Sequence, residues 1–165
     1  MNLIFSYLSR NTWFWSAHEI EILNSHTDHL SLHYLSNDNK DFTITLPYTA
    51  IQEILSIIKE NKEIFSIKEN EISDMIAKFF RVHGEYVLDS GYDDFFFSDE
   101  INKTNFSAND IGLVENTDDV PEKIVLIKSL CNKISDVLIK YTKEHDFFKE
   151  IDCNEKLLNH MLKLF

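Results

Sequence analysis

The sequence predicts an α+β fold, an N-terminal antiparallel β-meander of three to five strands with about four helices packed on one face. Three observations carry that prediction. Residues 3 to 46 alternate apolar and polar side chains in twos, apolar positions from residue 51 onward recur at spacings of three and four, and the change from one pattern to the other is abrupt.

The strands come first. Leu3 to Leu8 and Thr12 to Trp15 read as two halves of a hairpin about Arg10-Asn11, and His18 to Ile22 puts Ile20 and Ile22 on one face and Glu19 and Glu21 on the other. His29 to Leu35 and Phe42 to Leu46 repeat the alternation. The breaks between these runs, Asn24 to Asp28 and Ser36 to Lys40, have turn composition and hairpin length. Trp13 and Trp15 share a strand face and suit core packing.

Helices follow. Thr49 with Gln52 has the spacing of a capping box, ahead of Ile51, Ile54, Leu55 and Ile58, and Asn61-Lys62 ends the run. Ser66 with Glu69 starts a second helix carrying Ile72, Met75, Ile76, Phe79 and Phe80, which Gly84 is placed to terminate. Asp119-Val-Pro-Glu122 is a strong start for a long helix, with Asp119 as cap and Ile124, Ile127, Leu130, Cys131, Ile134, Val137, Leu138 and Tyr141 on its apolar stripe. Asp152 with Glu155 opens a last short helix through Leu157, Leu158, Met161, Leu162 and Phe165. One domain accounts for residues 1–165, with strands in 1–46, two helices in 47–84, an acidic aromatic segment in 85–119 and two helices in 120–165.

A chain of 165 residues can bury a core of its own, roughly 70% of its unfolded surface at this size. Its formal charge is −12, which repels nucleic acid and anionic membrane and attracts basic surfaces, so the expected partner is a basic protein. Three glycines and two prolines argue against phosphate-cradling loops. Cys131 and Cys153 fall in apolar helical stretches with no short-spaced partner, as buried thiols of a reducing compartment do. With no signal-like start and no apolar run of membrane-spanning length, the expected location is the cytoplasm.

The feature that stands apart is the segment Glu85 to Asp119. It holds ten acidic residues against one basic residue, Lys103, and interleaves them with Tyr86, Tyr92, Phe95, Phe96, Phe97 and Phe106. Disordered linkers are depleted in such aromatics, so the segment is expected to be ordered. Its core, Asp89 to Glu100, supplies the expected partner-binding residues Asp89, Tyr92, Asp93, Asp94, Phe95, Phe97, Asp99 and Glu100: aromatic anchors ringed by carboxylates suit a basic, partly apolar groove. The other use of Phe95 to Phe97 is a strand that pairs with the sheet edge and buries Phe95 and Phe97.

The same residues match no catalytic or metal motif in full. Asp89, Asp93 and Glu100 match positions 1, 5 and 12 of a calcium-binding EF-hand loop, but Gly91 replaces a ligand, Asp94 stands where the turn demands glycine, and three phenylalanines follow. His29 and His33, beside His26, would lie about 13 Å apart along a strand, too far to share one zinc ion. Glu19/Glu21 and Asp93/Asp94 are carboxylate pairs in sequence only, and neither cysteine has a recognisable histidine arrangement. The reading is a non-enzyme without metal or cofactor.

In overall character, an acidic α+β chain of this size, rich in Asn, Lys and Ile and carrying an acidic aromatic segment, resembles the immunity proteins of bacterial contact-dependent growth inhibition and related polymorphic toxin systems. The resemblance implies a partner that neutralises one toxin domain, commonly a nuclease, by covering its active site or an exosite. Two alternatives use the same acids: a DNA mimic that inhibits a nucleic-acid enzyme, with carboxylates in a long double row, and a metal-dependent hydrolase.

Overall fold

A computed structural model describes residues 2–11, 16–24, 29–36, 42–84, 91–115, 117–144 and 162–165. The first four strands form the expected meander: β1 (Asn2–Asn11), β2 (Ser16–Asn24), β3 (His29–Ser36) and β4 (Phe42–Pro47), each antiparallel to the next. The hairpin expected about Arg10-Asn11 is corrected. β1 runs straight through both residues, because Arg10 pairs with Ala17 and Asn11 with Ser16 on β2. Trp13, Trp15 and the turn residues 25–28 and 37–41 lie outside the described residues, as do Cys153 and nearly all of the expected last helix.

The larger correction concerns the acidic segment. Tyr92–Ser98 forms β5 and Lys103–Ser107 forms β6, and β5 pairs with β1, giving a six-stranded sheet in the order β4-β3-β2-β1-β5-β6. The sheet therefore exceeds the three to five strands expected, and its last two strands follow two helices in the chain. Pairing begins where β1 had an open edge, and the period-two burial of β5 matches the inner face of β1: Phe5 sits opposite Phe97 and Tyr7 opposite Phe95.

The described residues contain three α-helices: α1 (Tyr48–Glu60), α2 (Glu71–Val82) and α3 (Glu122–Glu144). Their caps differ from those expected. α1 leaves β4 directly through Pro47, with no side-chain cap, so Thr49 and Gln52 form no capping box. Ser66 closes a 3-10 turn over Lys62–Ser66 by donating to the Glu63 carbonyl. Glu71, rather than Glu69, reaches back to accept from the Lys68 backbone N–H at 3.1 Å while its own N–H donates to the Lys68 carbonyl. The Asp119 carboxylate is taken up by the Thr117 hydroxyl and by His83 Nε2 at 2.7 Å instead of capping α3. Gly84 does end α2 with a left-handed φ of +72°.

One core joins these elements. The inner face of the sheet contributes Phe5, Tyr7, Ile20, Ile22, Ile44, Leu46, Phe95, Phe97 and Phe106, and the helices contribute Ile51, Ile54, Ile58, Ile72, Ile76, Ile124, Ile127, Leu130, Cys131, Ile134 and Leu138. Leu162 and Leu164 close it from the C-terminal end. No helix among the described residues is long and apolar enough to cross a membrane.

Candidate functional site

β5 determines what the acidic segment can present. Because side chains alternate across a strand, Asp93, Phe95 and Phe97 point into the core while Tyr92, Asp94 and Phe96 point away from the helices. The inward set is an aromatic block: Phe95 stacks on Phe106 with ring centroids 5.6 Å apart and Phe97 on Phe106 at 6.1 Å, while Phe5 meets Phe97 at 5.2 Å. Phe95 and Phe97 are thus corrected from anchors held out to a partner to core residues that fasten β5 to β1.

Asp93 and Asp99 are buried as well and serve the fold. Asp93, 7% exposed, accepts from the Tyr7 hydroxyl at 3.1 Å and from the Asp110 N–H at 3.2 Å. Burial pushes its carboxyl above its usual value, against hydrogen bonds from Ser9 and Tyr7 that favour the ionised form. Tyr7 is pushed up too, first by burial and then by the negative charge of Asp93. Asp99 closes the β5–β6 turn: one carboxylate oxygen accepts from the backbone N–H groups of Ile101 at 3.0 Å and Asn102 at 2.6 Å. Burial acts to raise its carboxyl, yet the bonds from Asn102 and Ile101 hold it below its usual value. A carboxylate that satisfies backbone donors in this way is turn chemistry.

Three of the expected site residues remain on the surface. Tyr92 is 53% exposed, and Asp94 and Glu100 are exposed. Asp94 accepts from the Ser107 hydroxyl at 2.6 Å. Glu100 stands at the turn with a left-handed φ of 78°, its carboxylate accepting from Asn24 Nδ2 at 3.1 Å and lying 3.9 Å from Lys59 Nζ. Next to it Ile101 is 90% exposed. Asp89 lies outside the described residues. The extended strand through Asp93 to Ser98 also removes the calcium-loop geometry, and no group of three potential ligands among the described residues could hold a metal ion.

The register adds residues that the sequence reading left out. Asp94 pairs with Leu8, which pairs with Glu19; Phe96 pairs with Ser6, which pairs with Glu21. Tyr92 pairs with Arg10. Neighbouring strands lie about 4.8 Å apart, so Asp94 and Glu19 flank Leu8 roughly 10 Å from each other. The described helices all pack on the opposite face. The result is an outward surface of half-exposed Leu8, Leu23 and Phe96 with exposed Tyr92, carrying Glu19, Glu21 and Asp94 against Arg10. The second use expected of Phe95 to Phe97, an edge-pairing strand that buries Phe95 and Phe97, is the one found, and it obliges Asp94 and Phe96 to face outward; only the register to β1 and β2 adds Glu19 and Glu21.

A separate cleft of about 720 Å³ lies beside α3, lined among others by Thr117, Asp118, Lys128, Asn132, Asp136 and Phe165. It includes none of the expected site residues, and its acids and lysines leave it without a field of one sign. No family model, curated protein or solved structure matches this chain.

Proposed function

We propose that the chain is an acidic, non-enzymatic binding protein of the immunity type, which acts in the cytoplasm by neutralising a basic toxin domain. The observation that supports this reading is the outward face of the sheet, where Glu19, Glu21 and Asp94 lie among Leu8, Phe96 and Tyr92 on mutually paired strands, with Arg10 beside Tyr92 as the one basic side chain named there. Carboxylates of this kind steer a basic partner into encounter, and half-exposed apolar side chains between them slow its departure once water is excluded. A toxin that handles nucleic acid needs a basic cleft for phosphates, and a carboxylate patch competes for that cleft. Among the described residues, the acids of this face form one local patch rather than a long double row, which favours immunity over duplex mimicry.

The test is to look for a basic domain encoded immediately upstream of the chain's gene and, where there is one, to titrate the chain against it. Asp94→Lys with Glu19→Lys should slow association and flatten its dependence on salt, whereas Phe96→Ala should speed dissociation. Binding that is unchanged by all three substitutions moves the contact surface elsewhere. The absence of a basic product upstream, with no binding to other basic domains, removes the immunity reading.

A further inference from the structure

The two edges of the sheet are finished differently. β6, at one edge, is five residues long and begins with Lys103; its Ser107 N–H donates to the Glu69 carbonyl at 2.9 Å, and the Thr104 hydroxyl donates to the Ile67 carbonyl. The chain before α2 thereby covers that edge. β4, at the other edge, is FTITLP, with no charge, no bulge in its pairing with β3 and proline only at its final position. Among the described residues, no hydrogen bond other than those of the β3 ladder reaches it. Charged side chains, internal proline, bulges and covering segments are the devices that keep sheet edges from pairing, and among the described residues β4 shows none of them.

We propose that β4 pairs antiparallel with β4 of a second copy of this chain, joining two sheets across a two-fold axis. The strand is complementary to itself. Ile44 and Leu46 are buried on the helix side while Thr43 and Thr45 are exposed on the other, so a register that keeps the two faces aligned sets threonine opposite threonine, a favourable cross-strand pair. Charge selects the same occupant. A strand without carboxylates offers nothing to a basic partner strand, and its pairing with a second copy, also of formal charge −12, sets no acid of β4 against another. The remaining repulsion between copies is long-range and is screened over about 10 Å at 0.1 M salt.

Sedimentation velocity on the full chain across a concentration series, at low and high salt, tests the pairing. A reversible dimer that strengthens with salt is expected, the opposite of a contact driven by opposite charges. Thr43→Lys with Thr45→Lys places lysines against each other across the seam and should abolish the dimer while leaving the far-ultraviolet circular dichroism unchanged. Hydrogen exchange of the wild-type chain gives a second readout: protection of β4 amides should rise with protein concentration while that of β6 stays constant. A chain that is monomeric at every concentration and salt overturns the proposal. So does a dimer that survives the double substitution, and, if that variant fails to fold, β4 protection that does not change with concentration.

Discussion

The Tyr7 hydroxyl donates to the Asp93 carboxylate at 3.1 Å across the β1–β5 junction, joining residues 86 positions apart in a buried site. This bond lies where the acidic segment is built into the sheet. Burial raises the Asp93 carboxyl while the bonds from Ser9 and Tyr7 oppose the rise. A folded-state value above the unfolded one means that the folded chain binds this proton more tightly. Asp93 therefore takes stability away as pH rises from about 4 through its raised value. Tyr7→Phe removes one opposing bond and leaves the charge less satisfied. The variant should be less stable by about 1–3 kcal/mol at neutral pH and by clearly less in acid. Urea unfolding at about pH 4 and about pH 7 measures the difference. Equal losses at both would mean that the hydroxyl matters only for packing.

The three consecutive phenylalanines separate by face. Phe97→Ala empties a site enclosed by Phe5, Phe95 and Phe106 and should cost about 3–5 kcal/mol. Phe96→Ala, on the outward face, should cost about 1 kcal/mol or less. Denaturant titration of the two variants side by side reads this directly, and similar losses would contradict the assignment of faces.

Asp99 should act as a turn residue. Asp99→Ala leaves the Ile101 and Asn102 N–H groups without their shared acceptor and should cost about 1–3 kcal/mol. Asp99→Asn retains one carbonyl oxygen and should recover part of the loss. The folded-state carboxyl is held below its ordinary value, so its contribution is present above the unfolded value and is lost as pH falls through the folded one. The gap in stability between wild type and Asp99→Asn should therefore narrow in acid.

How much of this was legible in the sequence depends on how local each signal is. The period of two in His18 to Ile22 and the stripe from Ile124 to Tyr141 are visible without any partner, and β2 and α3 lie where those patterns place them. β5 is different. Its partner strand begins ninety residues earlier, and nothing in the run from Asp93 to Phe97 names β1 as the edge that receives it. The composition of the segment suggests surface chemistry, yet half of its chemistry is structural: Asp93 answers Tyr7, Asp99 answers its own turn, and Phe95 and Phe97 answer Phe5 and Phe106. The caps depart from expectation for a similar reason. Ser66 and Asp119 are good cap residues by type, but each had a nearer or stronger partner, the Glu63 carbonyl for one and Thr117 with His83 for the other.

Glu100 is the residue where stability and binding should part. Its φ of 78° is a conformation that glycine adopts freely and other residues adopt at a cost. Its side-chain contacts, to Asn24 and at 3.9 Å to Lys59, are exposed and worth little. Glu100→Gly gives up those contacts and relieves the backbone, whereas Glu100→Ala gives up the same contacts and keeps the strain. The glycine variant should therefore be more stable than the alanine variant by about 1 kcal/mol. Both variants should associate more slowly with a basic partner, because both lose the carboxylate beside the exposed Ile101. Thermal unfolding compares the two stabilities and stopped-flow association with the partner compares the rates. Equal stability of the two would show that the turn carries no strain, and unchanged association would confine the contact to the strand face around Asp94 and Phe96.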